Sequence, residues 1–158
     1  MDSERGSLMY KVAICDDNPA DLQLITDYLT EPEFHYPLEL SSFHDGVELA
    51  QAYKKEGQYD LIILDMMMDR LNGIETALKI RKVDQNVAIL IVTATVEYAI
   101  EGYKINAARY IVKPVSKPEF QKITKNIFAS IDKKRGGLLP FSQQEWDYRH
   151  IHGRYLLF

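Results

Sequence analysis

Short apolar runs alternate with stretches of helical period along most of this chain. Val12-Ala13-Ile14-Cys15, Leu61-Ile62-Ile63-Leu64, Ala88-Ile89-Leu90-Ile91-Val92 and Tyr110-Ile111-Val112 carry no charged position. Unbroken runs of this length suit strands covered on both faces. Leu38 to Phe43, set off by Pro37 and Asp45, supplies a further strand. Between the runs, Asn18 can cap a helix with Pro19 at its first position and Asp21 in its first turn, and Leu22, Ile25 and Leu29 then recur at helical spacing. Asp45 caps a second helix running to about Lys55, with Gly57 as its stop. Asn72-Gly73 precedes a third that carries Ile74, Ala77, Leu78 and Arg81. Glu97 to Ile105, interrupted by Gly102, reads as a weaker fourth. Ser116-Lys117-Pro118-Glu119 is a capping box with proline at the helix start, and Phe120, Ile123, Ile127 and Ile131 mark the inner stripe of the last helix.

Alternating strands and helices predict an α/β fold, and right-handed crossovers make it a doubly wound, five-stranded parallel sheet with helices on both faces. The pattern changes after Asp132, where Lys133-Lys134-Arg135-Gly136-Gly137 reads as a basic linker. The expected division is an N-terminal extension or cloning remnant over 1–8 (Gly6-Ser7 suggests the latter), the sheet domain over 9–132, and a linker with tail over 133–158.

The length of 158 residues suits one domain, and 46% hydrophobic residues can fill a real core. A net charge of -4 gives no electrostatic case for nucleic-acid binding. One cysteine excludes an internal disulfide framework and fits a reducing compartment. No apolar run approaches the ~20 residues that span a bilayer, and the polar Met1 to Ser7 segment lacks the core of a signal peptide. A cytoplasmic location with no membrane partner is expected.

Candidate chemistry sits at the strand ends: Asp16-Asp17, Asp65, Thr93 and Lys113 followed by Pro114. Ligands of an open parallel sheet bind beyond the carboxyl ends of its strands, so these residues should meet at one edge. Three carboxylates suit a hard cation such as Mg²⁺, and a lysine with a hydroxyl suits phosphoryl oxygens. Such a site can receive a phosphoryl group on an aspartate. Taken singly, each motif has a plainer role: Asp16-Asp17 as a capping cluster, Lys113-Pro114 as a turn. Asp65 resists that reading, because Met66, Met67 and Met68 give it no local polar partner.

Together Ile14-Cys15-Asp16-Asp17-Asn18, Leu64-Asp65 with Asn72-Gly73, Val92-Thr93-Ala94 and Val112-Lys113-Pro114 resemble the receiver domain of two-component response regulators, over roughly Tyr10 to Asp132. The segment from Thr93 to Tyr110, with Glu97-Tyr98-Ala99 and Asn106-Ala107, is similar to receivers attached to LytTR-type DNA-binding domains. The resemblance implies a flavodoxin-like receiver fold with strand order 2-1-3-4-5. It implies Asp65 as phosphoacceptor, Asp17 as a direct Mg²⁺ ligand, Asp16 acting mainly through water, and the Met67 carbonyl as a further ligand. Thr93 and Lys113 would each bond a phosphoryl oxygen, and Tyr110 would be the switch aromatic, filling space that Thr93 vacates. A sensor histidine kinase is the implied partner, with a possible homodimer through the fourth helix, fifth strand and fifth helix. DNA would be reached only through an output domain. Leu139-Pro140-Phe141-Ser142 and His152-Gly153-Arg154-Tyr155 look like pieces of that domain's first strands, so the chain is expected to be either a truncated piece or a stand-alone receiver. The function implied is a phosphorylation-controlled switch in transcription, not an enzyme beyond self-phosphorylation and self-dephosphorylation.

Many receivers have proline four residues after the phosphoacceptor. Here Asp69-Arg70 stands instead, which predicts a more mobile loop and added negative charge beside the metal. The competing reading is a Mg²⁺-dependent phosphohydrolase with an aspartyl-phosphate intermediate. Such enzymes usually place a second acid two residues after the nucleophile, where this chain has Met67. A phosphorylation-independent interaction module would not need the intact acidic set, Thr93 and Lys113. Cys15 reads as a buried structural thiol, and His35, His44, His150 and His152 as residues without a clustered partner.

Overall fold

The computed structural model describes residues 9–56, 58–135 and 155–157. Its strands are β1 (Tyr10–Cys15), β2 (Leu38–Phe43), β3 (Leu61–Leu64), β4 (Ala88–Thr93) and β5 (Arg109–Val112), and its helices are α1 (Pro19–Leu29), α2 (Gly46–Glu56), α3 (Gly73–Val83), α4 (Ala99–Lys104) and α5 (Lys117–Arg135). The strands run parallel in the order β2-β1-β3-β4-β5, as expected. β3 and β4 are buried at every position, whereas β2, on the outer edge, is nowhere fully buried.

Side chains alternate across each strand, so the sheet divides the core in two. Val12, Ile14, Ile63 and Leu90 face Leu22 and Ile25 of α1 and Phe120, Ile123 and Ile127 of α5. Ala13, Cys15, Ile62 and Ile89 face Leu49 of α2, Ala77 and Ile80 of α3 and the ring of Tyr110. Local capping starts the helices where the sequence places them. Asn18 Oδ1 accepts from the Ala20 and Asp21 amides, Asn72 and Glu75 form a reciprocal capping box, and Ser116 Oγ accepts from the Glu119 amide.

Two boundaries differ from expectation. α5 continues through Lys133, Lys134 and Arg135, which the sequence assigns to a linker. Their side chains reach back to the body: Lys134 Nζ donates to Asn86 and Arg135 pairs with Asp60 at 2.5 Å. A sixth strand, β6 (Tyr155–Leu157), adds antiparallel to β5, pairing Tyr110 with Leu156, in a tail where no strand of this sheet was expected. An edge strand offers a row of unpaired backbone groups, and an extended apolar triplet satisfies them. The expectations for 1–8, Gly57, Leu139-Pro140-Phe141-Ser142, His150 and His152 lie outside the described residues.

Candidate functional site

Parallel register brings the strand ends level. Cys15 pairs with Leu64, Leu64 with Ile91, and Thr93 with Val112. The ladder runs one step further, with the Asp65 amide donating to the Cys15 carbonyl at 3.0 Å, the Asp16 amide to Phe43 at 3.1 Å and the Lys113 amide to Thr93 at 2.7 Å. Asp16, Asp65, Thr93 and Lys113 therefore leave the sheet along one edge with their backbones fixed.

Carboxylate oxygens of Asp16, Asp17 and Asp65 all lie within 4.8 Å of one another. Asp16 and Asp65 are only 5% and 6% exposed, while Asp17 is half-buried. Asp16 is engaged on both oxygens, accepting from the Asn18 amide at 2.9 Å and from Lys113 at 3.0 Å. Asp17 has no side-chain hydrogen bond among the described residues. The Asp17 carboxylate is thus open, while that of Asp16 is engaged by the protein. Burial pushes Asp16 up to about 6, hydrogen bonds from Asn18 and Lys113 oppose the rise, and the charge of Asp65 adds to it.

The Lys113 ammonium lies among three carboxylates: 2.7 Å from Asp21, 3.0 Å from Asp16 and 3.4 Å from Asp65. Burial favours its neutral form, but the bonds to Asp21 and Asp16 and the charge of Asp65 outweigh it, holding the group protonated well above the ordinary lysine range. Asp21 is the site residue that sequence reasoning assigned only to a helix first turn. The available signal was its place in the first turn of the helix that follows the first strand, which puts it at the same sheet edge as Asp16.

Thr93 is fully buried, and its Oγ1 has no hydrogen-bond partner among the described residues. A buried hydroxyl left so costs about 1–3 kcal/mol, which points to a ligand oxygen as its partner. Tyr110 is also fully buried, and its hydroxyl donates to the Thr95 carbonyl at 2.6 Å. The ring lies inward beside β4, in the half-core that also holds Ile89 and Ile91.

The loop after β3 is joined to the start of α2 by an ion pair whose arginine is 63% exposed. Arg70 reaches Asp45, the residue that caps α2, at 2.7 Å. The Met67 amide donates to Asp65 Oδ1 at 3.1 Å, which orients the carboxylate. Met66 and Met68 are buried, whereas the Met67 side chain is 52% exposed. Behind Asp65, α3 starts so close that a Cβ on Gly73 would stand 2.5 Å from the Asp65 carbonyl oxygen and 2.7 Å from the Met66 Cα. The Asn72-Gly73 pair is therefore part of the site's support. Cys15 is buried with its thiol against the Met68 sulfur at 3.7 Å, and burial raises its pKa, as a structural thiol requires. His35 and His44 are exposed, and among the described residues Asp16, Asp17 and Asp65 are the group close enough together to hold a metal ion.

Known proteins resemble this chain over most of its length. The family model described as the response regulator receiver domain matches residues 12–125. Sensory transduction protein LytR of Staphylococcus epidermidis is 28% identical over 144 residues, covering 87% of this chain and 54% of its own length. Transcriptional regulatory protein LytR of Staphylococcus aureus is 31% identical over 121 residues, covering 76% and 48% respectively. The chain thus spans about half the length of the curated relatives it matches. The response regulatory domain of protein mrkE from Klebsiella pneumoniae superposes with a TM-score of 0.69 at 24% identity, over 78% of this chain and 98% of that one, a likeness of fold.

Proposed function

The chain belongs to the response regulator receiver family, and from that membership we propose that Asp65 is the residue on which it accepts a phosphoryl group from a sensor histidine kinase. It is a receiver domain of a two-component response regulator, with relatives of the LytR type. The observation that carries the assignment is the placement of the buried Asp65 carboxylate beside Asp16, Asp17 and the Lys113 ammonium, with the unpartnered Thr93 hydroxyl on the same sheet edge. Asp16, Asp17, Asp65 and the Met67 carbonyl would hold Mg²⁺, and this all-oxygen set fits a hard divalent cation. Bound there, it would offset the carboxylate charge and align donor oxygens.

The chain's own groups do the rest. An Asp65 carboxylate oxygen forms the new bond to phosphorus as the bond from phosphorus to the donor's leaving group breaks. The Met67 amide keeps one Asp65 oxygen oriented, leaving the other for attack. Thr93 Oγ1 donates to one phosphoryl oxygen and Lys113 pairs with another. Positioning and charge compensation are most of what this transfer needs. The phosphohydrolase alternative finds no support: the chain matches the receiver family, and Met67 offers no acid. The wider role we propose is cytoplasmic control of transcription through an output domain, with pairing of copies through α4, β5 and α5.

Intact-mass measurement tests the assignment. Acetyl phosphate with Mg²⁺ should add one phosphoryl group, while EDTA or Asp65→Asn should abolish the gain. Equal labelling of Asp65→Asn would overturn it.

A further inference from the structure

An ammonium group has three N–H donors, and those of Lys113 have three carboxylates to serve. The contact with Asp65 is the longest, at 3.4 Å, and the one with Asp21 the shortest, at 2.7 Å. Asp16 is pinned by the Asn18 amide. Asp21 belongs to a different element, α1, where its amide is bound by the Asn18 cap. Its side chain is 34% exposed, against 7% for those of Asp16 and Asp65. It stands outside the acidic cluster and draws the ammonium toward the helix. A cavity of about 360 Å³ lined by Asp21, Lys113, Leu24, Val92 and Val115 leaves room for the two groups to part.

We propose that Asp21 is a positioning residue that competes with the phosphoryl group for Lys113. Resting on the phosphoacceptor reading above, the proposal adds what Lys113 must give up. To bond a phosphoryl oxygen on Asp65, the ammonium releases Asp21 and keeps its proton. The exchange is one ion pair for another. Asp21 therefore lowers the gain from phosphorylation, and its removal tightens the site.

The test uses the whole chain and the variants Asp21→Asn, Asp21→Glu and Asp69→Asn. Asp69, which the sequence placed beside the metal, is exposed and lies outside the cluster of Asp16, Asp17 and Asp65, so its variant controls for a general loss of negative charge. Beryllofluoride affinity with Mg²⁺ is followed by NMR, and the half-life of the phosphorylated chain by intact mass. Asp21→Asn should bind beryllofluoride about fivefold tighter and keep its phosphoryl group longer, a factor of the size a partly exposed ion pair supplies. Asp21→Glu should return toward the parent, and Asp69→Asn should change affinity less than about twofold. Without metal, in EDTA, the Lys113 ammonium ¹⁵N signal should shift and its protons exchange faster in Asp21→Asn, but not in Asp69→Asn. A helix-capping role alone would lower the melting temperature without tightening beryllofluoride binding. Unchanged or weaker binding in Asp21→Asn, or equal tightening in Asp69→Asn, would overturn the proposal while leaving Asp65 as phosphoacceptor. A parent chain that takes up neither beryllofluoride nor phosphoryl would refute both.

Discussion

Asp16 gives up solvent on folding and receives less than full compensation, so its carboxyl rises to about 6. Lys113, Asp65, Asp17 and Asp21 are the charged groups around it. In the unfolded chain the group titrates at the ordinary aspartate value of 3.8. Above pH 6 both states are ionised and the folded state carries the full penalty. Between those values the folded state binds a proton that the unfolded chain does not, so stability from this group rises as pH falls. In EDTA, Asp16→Asn should be more stable than the parent near pH 7 by about 1–3 kcal/mol. That advantage should shrink toward pH 4, as read by thermal melts at each pH. Gly73 makes the opposite kind of demand. Its Cβ would meet backbone, which cannot rotate away. Gly73→Ala should cost about 1–3 kcal/mol and, by displacing the Asp65 backbone, lower phosphoryl uptake measured by mass.

At the scale of elements, Arg81 ties down the end of α4, the shortest of the described α-helices. Its Nε donates to the Ile105 carbonyl at 2.8 Å, Nη1 to Val87 at 2.8 Å and Nη2 to Asn106 at 3.2 Å, linking α3 to the end of α4 and the start of β4. Burial lowers its pKa, but a guanidinium remains charged. One fork serves carbonyls on both sides, which an ammonium cannot do. Arg81→Lys should cost about 1–3 kcal/mol, with faster hydrogen exchange concentrated at Ile105 to Ala108. The sequence could not disclose this. Arg81 looks like an ordinary helical position, because its partners are backbone carbonyls from distant segments and leave no mark in residue type. The strands were legible because burial on both faces demands unbroken apolar runs. Asp16, Asp65, Thr93 and Lys113 were legible because each ends such a run. Asp21 and Gly73 act through contacts between elements, so their side-chain types suggested only a helix first turn and a loop.

The whole molecule joins two half-cores through one sheet, and the site lies on the rim where both meet. On the α1 and α5 side, aromatic rings interlock, with Tyr10 stacked on Phe128 at 4.1 Å and Tyr36 leaning on the same ring at 4.9 Å. Tyr10 also donates to Asp132 on α5. The tail strand was not legible because three residues are too few for a periodicity to register, and their partner is an edge that only the folded sheet creates.

That strand bears on how copies of the chain meet one another. β5 is apolar and buried along most of its length, and an open edge of that kind is a template for another chain's backbone. With β6 in place, the outermost strand on that side is only three residues long. The opposite border, β2, carries Glu39, Ser41 and Ser42. Both borders are therefore poor starting points for growth by strand addition. Deleting residues 155–158 should leave the fold able to form but lower the temperature at which light scattering rises, with the excess material binding thioflavin T. The three residues of β6 thus close to other chains an edge that β5 would otherwise present bare.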